Sequence, residues 1–532
     1  MATIGIAFGN STTSFATIKD GKVDVIANPD GERFISSALS YVDGDEYHGQ
    51  QALAQLVRNP RSTIVNFRDF IGVPFTDINA ENSKYAAHPV ELNGKVAYEI
   101  NGNKLSIEEI VKRHLKQIKN AAEDYLGQSI ESVVITVPTN FTDIQKEDLI
   151  RISNDAGLKV KQLINEPASA LLAHLSNKEQ FLEDKLYVVA DFGGIRSDAA
   201  VISVRGGIMT LLATEHSTKL GGQELDEALI DFFATDFTKK FKADAKKTEK
   251  SYSKLAAAAI ITKKTLSNVQ SASVSVDSLA EGFDYMSSIN RLRFELVGRK
   301  IFSEMNQFIE SLVHKAGLET LDIESVLLVG GTSNIPKVAN TLSLIFPEST
   351  EIIAPAMDSK LPNPNELNCR GAAIQASLIA GFDYDEVKES LSPIVVNTEH
   401  ISSPIGIKDV DGKFLTILPR ETAYPIKKSI SFETTTSNVE IQFFEGQRTI
   451  KETVLEVEKF SDDEDDEDEE EEAEIVKEVE YIPGTLLGKM VLDGVTSGSK
   501  VEVIVQINKD GKLHLTARSG SVVVKGEVSQ SA

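Results

Sequence analysis

The same local pattern occurs twice in this chain, at two widely separated places. An apolar strand that ends in a glycine turn runs over residues 4–11, and another runs over residues 187–194. Each is followed by two more strands joined by a tight turn, Asp20-Gly21 in the first copy and Gly206-Gly207 in the second. This repetition indicates an internal duplication and favours a fold in which the two glycine turns face each other.

A glycine turn behind an apolar strand lets the backbone approach a phosphate and point its N–H groups at it. Two facing turns, one with Gly9 and the other with Gly193-Gly194, would form a clamp for the phosphate tail of a nucleotide. One such turn alone is more often a plain tight turn. The duplicated context and a further pair, Gly330-Gly331, favour phosphate binding.

Length and composition limit the other possibilities. A chain of 532 residues with 41% hydrophobic residues is expected to form two or three domains. No basic stretch precedes an apolar run at Met1–Gly5, and no window approaches about 18 uninterrupted apolar residues, so we expect a cytosolic protein. The single cysteine, Cys369, rules out an internal disulfide, and the eight scattered histidines argue against a zinc site.

The first long region, residues 1–382, alternates strands with helices. Apolar runs at 133–137 and 326–329 predict strands, and residues 107–125 and 291–316 predict helices. This alternation indicates an α/β architecture.

The pattern changes after a polar, acidic segment, residues 383–392, which we predict to be a linker. Residues 393–532 show short strands and turns, with strict alternation along 501–507 and a hairpin signal at Asp510-Gly511. This region is predicted to be a small β-sandwich. Its strands are expected at residues 404–407, 414–418, 439–444, 500–507 and 513–517.

Nearly half of the net charge of −25 comes from one acidic run, Asp462 to Glu472, together with Glu474. Like charges repel and resist burial, so residues 461–474 are expected to form a solvated loop. A docking segment for a basic partner, such as the tails of ribosomal proteins, is the alternative. Basic residues are dispersed and lack interleaved aromatic residues, so direct RNA binding is not expected.

Five motifs in register resemble the DnaK-type seventy-kilodalton heat-shock chaperones. They are residues 5–9, 137–141, 164–170, 191–194 and 328–337. Residues 25–33, 66–72 and 191–200 resemble in particular the atypical fungal member of the family that belongs to the ribosome-associated complex.

The resemblance implies an α/β, actin-like (ribonuclease H-like) two-lobed nucleotide-binding domain, followed by a truncated β-sandwich. The family has a helical lid of roughly a hundred residues after its β-sandwich. Here only fifteen residues follow Ala517, so no lid is expected.

The resemblance also implies that the catalytic set is incomplete. Ala7 stands where the family has an aspartate that helps to hold the metal, and a methyl group cannot coordinate Mg²⁺. Arg68 stands where the family has a lysine that helps to position the attacking water, and a guanidinium does not reproduce a compact ammonium. Glu166, Asp191 and Asp198 remain and could organise a metal and water, so Mg²⁺ binding stays open.

Nucleotide-binding positions are carried over from the family motifs. Asn10 and Ser11 replace two threonines, and the branched Ile195 with Arg196 replaces a glycine and a threonine. Lys264 and Asn334 stand where two arginines flank the adenine. The full set is Gly9, Asn10, Ser11, Thr12, Arg68, Gly193, Gly194, Ile195, Arg196, Lys263, Lys264, Ser267, Gly330, Gly331, Thr332 and Asn334.

These departures predict a protein that binds ATP as a structural ligand and hydrolyses it poorly or not at all. The acidic segment 383–392 replaces the family's leucine-rich linker, which removes the usual coupling between nucleotide and peptide. The resemblance implies a stable heterodimer with a zuotin-like J-domain protein on the cytosolic ribosome. This heterodimer would help to stimulate a separate, active chaperone of the same family that acts on nascent chains, and the β-region would hold the partner by strand addition.

Three other functions are weighed. An ATP-hydrolysing folding chaperone and a nucleotide-independent holdase that touches nascent chains directly both remain open. A sugar kinase of the same actin-like fold is opposed by the C-terminal β-region and by the five motifs.

Overall fold

The computed structural model describes residues 2–28, 31–78, 86–176, 183–355, 357–358, 360–391, 398–455 and 474–528. Among these residues, no helix combines the length and the apolar character that a membrane span requires.

Two mixed sheets of the same topology organise the N-terminal region. In chain order, its first elements are β1 (Ala2–Phe8), β2 (Thr12–Lys19), β3 (Lys22–Val25), β4 (Ile35–Ser36), β5 (Ala38–Val42), β6 (Asp45–His48), α1 (Gly49–Leu53), β7 (Thr63–Val65), β8 (Pro89–Leu92), β9 (Lys95–Ile100), β10 (Asn103–Ser106), α2 (Ile107–Leu126), β11 (Ile130–Val137), α3 (Asp143–Asp155), β12 (Lys159–Asn165) and α4 (Glu166–Leu175). The next are β13 (Lys185–Phe192), β14 (Ser197–Arg205), β15 (Ile208–Ser217), α5 (Gly222–Phe241), α6 (Glu249–Asn268), β16 (Ser271–Ala280), β17 (Phe283–Asn290), α7 (Arg291–Val297), α8 (Arg299–Lys315), β18 (Ser325–Val329), α9 (Pro336–Leu342), β19 (Glu351–Ile353), α10 (Leu367–Leu378) and α11 (Tyr384–Ser390).

The first sheet has the order β12-β11-β1-β2-β3, with β4 beside β2, and the second has the order β15-β14-β13-β18-β19. In each sheet the strand before the glycine turn runs antiparallel to the strand that follows it and parallel to a later one, β11 or β18. The duplication is therefore confirmed. We call residues 2–165 the first lobe and residues 185–353 the second lobe.

Local sequence explains the long helix of the first lobe. The Ser106 side chain accepts a hydrogen bond from the N–H of Glu109 at 3.3 Å, and Gly127 ends the helix at φ 64°. One face of α2, including Ile110 and Leu115, is buried in the first lobe's core. The predicted helix at 107–125 is thus confirmed.

The single helix predicted over 291–316 is wrong in one respect. Gly298 separates it into α7 and α8, and a Cβ at this glycine would lie 2.8 Å from Leu225. The apolar period continues on both sides of Gly298, so periodicity alone did not reveal the break.

Two helices, α4 and α10, pack against each other and connect the lobes. A Cβ on Gly371 of α10 would overlap the Ser169 carbonyl oxygen of α4, so only glycine allows this approach. A Cβ on Gly5 of β1 would likewise overlap the backbone of Ala373. The strand before the first glycine turn is therefore seated directly on α10.

The acidic segment predicted as a linker contains a helix. The Asp383 side chain caps α11 by accepting from the N–H of Glu386 at 2.9 Å. Val387 is buried in a small apolar cluster with Val134 and Ala376 of the N-terminal region. This part of the segment is thus packed against the first lobe's sheet.

Two four-stranded antiparallel sheets make up the C-terminal β-region. Its elements are β20 (Ile405–Lys408), β21 (Phe414–Leu418), β22 (Ile426–Glu433), β23 (Asn438–Leu455), β24 (Glu474–Asp493), β25 (Lys500–Ile507), β26 (Leu513–Ser519) and β27 (Val522–Val528). The sheet orders are β21-β20-β23-β24 and β22-β25-β26-β27, and the two sheets share one apolar core. The strands at 414–418 and 500–507 have the predicted bounds.

The strand predicted at 439–444 is much longer than expected. It forms with β24 a hairpin whose ladder extends to the pair Leu455 and Glu474. The acidic run from Asp462 to Glu472 lies outside the described residues, in the chain between these two strands.

Charged side chains join the C-terminal β-region to the second lobe. Arg448 on β23 donates to Asp322 at 3.0 Å and to Glu319 at 2.7 Å. The Asp322 side chain is only 6% exposed, so it depends on this partner. Buried Arg205 of β14 donates to the Arg420 carbonyl oxygen at 3.0 Å.

Reversing the charge of Arg448 tests this contact. We expect Arg448→Glu to weaken docking of the β-region about tenfold or more, because it leaves the buried Asp322 carboxylate facing another negative charge. The radius of gyration in solution scattering should increase, and Asp322→Arg in the same chain should restore it. Lys477→Glu, which breaks the exposed pair with Glu452 on the same hairpin, should leave the radius unchanged.

Candidate functional site

The two glycine turns have the same local geometry. A Cβ on Gly9 would overlap the carbonyl oxygen of Thr12, three residues later. A Cβ on Gly193 would lie 2.8 Å from the carbonyl oxygen of Arg196, again three residues later. Each turn therefore needs glycine for the same reason, which is close backbone approach within the turn.

The two turns also meet each other across the cleft between the lobes. A Cβ on Gly194 would overlap the Ser11 hydroxyl, so the turns are in direct contact. The Thr332 hydroxyl donates to the Gly193 carbonyl oxygen at 2.8 Å. Thr332 follows Gly330-Gly331, the third glycine segment, so this segment also lies beside the two turns. Gly330 lies in the left-handed region at φ 83°. The structure thus brings together the three glycine segments that the sequence singled out.

Lys263 is held beside these turns. Its ammonium donates to the Gly222 carbonyl oxygen and to Asp226, both at 2.6 Å. A Cβ on Gly222 would lie 2.7 Å from the Thr332 hydroxyl and 2.9 Å from the Lys263 ammonium, so Lys263 and the third glycine segment are neighbours. Burial raises the pKa of Asp226, against the opposing effect of Lys263.

The other predicted adenosine contacts are not tied to the phosphate turns in the same way. Lys264 is exposed on α6. The Ser267 hydroxyl donates to the Lys263 carbonyl oxygen at 3.1 Å, and the Asn334 amide donates to the Gly331 carbonyl oxygen at 3.1 Å. Their side chains thus bond to the backbone of their own segments.

Arg68 is almost fully buried and bonds to the protein's own acceptors. One guanidinium nitrogen, Nη1, donates to Glu166 at 2.8 Å and to the Phe8 carbonyl oxygen at 3.0 Å. Nε donates to Asp69 at 2.8 Å, and the guanidinium lies 5.6 Å from the ring centre of Phe141. Two carboxylates, a carbonyl and an aromatic ring therefore fix the side chain that the sequence assigned to phosphate contact.

Arg196 is bonded in the same manner. It makes a two-pronged ion pair with Asp198, in which Nε donates at 2.6 Å. It also donates to Asp69 and to the Asn140 side-chain oxygen, both at 2.9 Å. The neighbouring Ile195 is buried and lies outside the left-handed region, so its branched side chain introduces no backbone strain.

The buried charges shift one another's pKa values. Burial alone would raise the pKa of Asp69, but Arg68 and Arg196 hold it below its ordinary value. Burial raises the pKa of Glu166 to about 7, against the effect of Arg68, and raises that of Asp191 to about 6 with a further contribution from Asp198. The site is therefore a compact set of alternating charges with little contact with water.

The position of Ala7 is apolar. Its methyl group is buried in a cluster with Ala16, Val25, Cys369 and Ala373. Ser14 and Thr136 stand opposite Ala7 on the adjacent strands, but its own methyl group offers no oxygen to a metal. Ala7 is thus part of the packing between β1 and α10.

The three remaining carboxylates do not form a metal site. Glu166 is paired with Arg68, Asp198 with Arg196, and Asp191 accepts from the Asn368 amide at 2.9 Å. Within the described parts of the chain, no group of three or more histidine, cysteine, aspartate or glutamate side chains is arranged to hold a metal ion. A Mg²⁺ ion that enters with a nucleotide would depend mainly on phosphate and water oxygens.

One buried donor at the first turn is left without a partner. The Asn10 side-chain oxygen accepts from the Arg68 N–H at 3.0 Å, and its amide nitrogen has no hydrogen-bond partner among the described residues. Asn10 is only 5% exposed, and a buried unpaired N–H is costly. This donor is suited to a ligand oxygen held by the turn.

Sequence reasoning missed four members of this site. They are Asp69, Asn140, Phe141 and Asn368, which bond to or pack on the predicted residues. The first three lie inside motifs quoted for the resemblance, but their spacing gave no sign that two arginines would converge on them.

Comparison with known proteins agrees with the sequence resemblance. The family model described as Hsp70 protein matches residues 3–464. The chain is 48% identical to the ribosome-associated complex subunit SSZ1 of Saccharomyces cerevisiae, over 99% of each chain. It is 41% identical to heat shock protein 70 homolog C57A7.12 of Schizosaccharomyces pombe, over 97% of this chain and 93% of that one. It is 31% identical to heat shock 70 kDa protein 14 of Danio rerio, over 86% of this chain and 90% of that one.

Together with the duplicated lobes and the converging glycine turns, these matches show that the chain belongs to the Hsp70 family.

Proposed function

We propose that this protein binds ATP as a structural ligand and hydrolyses it very slowly or not at all. The observation that carries the proposal is the buried pair of Arg68 and Glu166, at 2.8 Å, in a site where Ala7 supplies only a methyl group. The Arg68 guanidinium is already bonded to Glu166, Asp69 and the Phe8 carbonyl oxygen, so it is not free to position an attacking water, and the Ala7 methyl group offers no oxygen to a metal.

Binding is supported by groups that remain available to an anion. The glycine turns allow close backbone approach, and the Asn10 amide is a buried donor without a partner in the described chain. Lys263 lies beside the same turns, where its ammonium is paired with Asp226. Bound nucleotide would contact both lobes and so stabilise their association by mass action.

The groups at the site would have different roles in binding the nucleotide. The two turns with Asn10 would bind and orient the phosphates, and Thr332 holds the third glycine segment against Gly193. Arg68 and Arg196 keep the neighbouring carboxylates neutralised, which lowers repulsion of the phosphates. Bound Mg²⁺ would supply further charge neutralisation on the phosphate oxygens.

We extend the proposal to a cellular role on the basis of the 48% identity to SSZ1, a subunit of the ribosome-associated complex. The protein would form a stable heterodimer with a zuotin-like J-domain protein on the cytosolic ribosome and help to stimulate a separate active chaperone. In the sheet β21-β20-β23-β24, the outer strands β21 and β24 offer edges for an extended segment of the partner. Co-purification of a J-domain protein with the tagged chain from ribosome fractions tests this role, and its absence from intact complexes would contradict it.

The nucleotide proposal is tested by separating binding from turnover. Calorimetry with ATP should give one site per chain, and a single-turnover assay should show hydrolysis at least about 100-fold slower than an active family member measured in parallel. Turnover within tenfold of that reference would contradict the proposal, and so would a lack of any ATP binding.

A single isosteric change tests the assigned phosphate donor. Asn10→Asp keeps the acceptor for the Arg68 N–H but replaces the free amide donor with a negative charge. We expect ATP affinity to fall at least tenfold, because a carboxylate repels phosphate where the amide attracts it. Asn103→Asp, at an exposed position of β10, should change the affinity less than twofold. Equal affinities in the two variants would remove Asn10 from the site.

A further inference from the structure

The cleft between the lobes is bridged by a buried ion-pair cluster made of the protein's own side chains. Arg196 belongs to the second lobe, in the turn between β13 and β14, whereas Asp69 and Asn140 belong to the first lobe. Nη1 donates to Asp69 and Nη2 donates to Asn140, both at 2.9 Å, while Nε and Nη2 donate to Asp198 of its own lobe. One guanidinium therefore connects the two lobes through acceptors on each side.

The first-lobe side of this bridge is itself held firmly. One oxygen of Asp69 accepts from Arg68 and the other accepts from Arg196. Arg68 is in turn anchored by Glu166 and by the Phe8 carbonyl oxygen. A continuous chain of charge-assisted hydrogen bonds thus runs from the first lobe's core strand to the second lobe's turn.

Burial makes this bridge different from an ordinary cross-lobe contact. The Arg196 side chain is 8% exposed, and that of Asp69, its charged partner in the first lobe, is 19% exposed. A second cross-lobe pair, Arg61 and Glu249, has side chains that are 85% and 68% exposed and lies at 3.5 Å. Water and salt screen the exposed pair more than the buried one, so separating Arg196 from Asp69 is expected to cost more than separating Arg61 from Glu249.

We propose that Arg196, with Asp69 and Asn140, is a latch that holds the two lobes closed whether or not nucleotide is bound. The latch lies next to the glycine turns, at Gly193-Gly194 and Ser11. Opening the cleft to admit or release a nucleotide requires breaking it. This inference deepens the proposed function, because it names what controls exchange at the nucleotide site.

The test measures lobe separation and nucleotide release in the full chain. Spin labels at the exposed positions 45 and 247 report the distance between the lobes, and chase of a fluorescent mant-ATP probe reports release. For Arg196→Gln we expect a longer, broader distance distribution in the nucleotide-free protein and release at least tenfold faster. Arg61→Gln, the matched cross-lobe control, should leave the distance unchanged and release within twofold of the wild type.

The results that would contradict the latch differ from the result that would contradict ATP binding. A nucleotide-free Arg196→Gln protein with the wild-type distance overturns the latch. If the wild type binds no mant-ATP, the proposed function fails. The distance measurement still shows whether Arg196 holds the lobes together. If Arg196→Gln does not fold, Asn140→Ala removes one neutral acceptor of the latch without unpairing a charge. It should shift both readouts in the same direction by a smaller amount, and no shift would overturn the inference.

Discussion

Replacing Arg68 with methionine should lower the free energy of unfolding by about 3–5 kcal/mol. The methionine keeps much of the side-chain length but removes the charge that neutralises Glu166 and Asp69. Both carboxylates are held in a site that is nearly closed to water, with Glu166 only 6% exposed. The expected loss comes mainly from leaving Glu166 buried without its cationic partner, while Asp69 keeps only Arg196, and this outweighs the value of the hydrogen bonds themselves.

Urea denaturation of the wild type and of Arg68→Met measures this difference. The matched control is Arg151→Met, because Arg151 also pairs with two carboxylates, Asp148 and Glu108, but is 49% exposed. We expect the control to lose less than about 1 kcal/mol. Adding Glu166→Gln to Arg68→Met should recover part of the loss. A loss below about 1 kcal/mol in Arg68→Met would show that the site does not depend on this arginine.

Some features of the fold follow from local patterns and were predictable. The repeated strand and glycine turn gave the duplicated topology, because tight turns and apolar strands are encoded in neighbouring residues. The break at Gly298 and the helix within 383–392 were not predicted. The break depends on a tertiary contact with Leu225, about which local periodicity carries no information. The helix does have a local signal, the capping box of Asp383 and Glu386, but its packing against Val134 does not.

In the candidate site too, local patterns were predictable and contacts between distant residues were not. The glycines are identified by the turns in which they lie, and the structure brings them together at Gly194 and Ser11. Each arginine has one partner close in sequence, but Glu166 for Arg68 and Asp69 and Asn140 for Arg196 are distant. Sequence assigned both arginines to phosphate contact, but the structure pairs them with the protein's own carboxylates. Which acceptor an arginine finds depends on how the lobes meet.

A buried histidine in the first lobe gives the second large expected effect, which is a loss of stability in mild acid. His114 of α2 is fully buried, and its Nε2 lies 2.9 Å from the Thr13 hydroxyl of β2. The rings of Phe8 and Phe67 each lie 5.5 Å from the imidazole. Burial lowers the pKa of His114 to about 3, and His48 adds a smaller shift in the same direction.

The sign of the effect follows from proton binding. Between the unfolded value of about 6.5 and the folded value, the unfolded chain binds a proton at this histidine and the folded chain does not, so acid favours unfolding. The stability contributed by neutral His114 is complete above pH 6.5 and is lost as the pH falls toward 3. From pH 6.5 to pH 5 the expected loss is about 2 kcal/mol.

Comparison with a side chain that does not titrate isolates this contribution. His114→Gln keeps a polar group that can reach Thr13 but binds no proton in this range. Its unfolding free energy should change about 2 kcal/mol less than that of the wild type between pH 6.5 and pH 5. His216→Gln, at an exposed position, should follow the wild-type slope. If His114→Gln follows the wild-type slope as well, the buried imidazole is not the group that makes the first lobe sensitive to acid, and the packing of β2 against α2 would have to tolerate a charged ring.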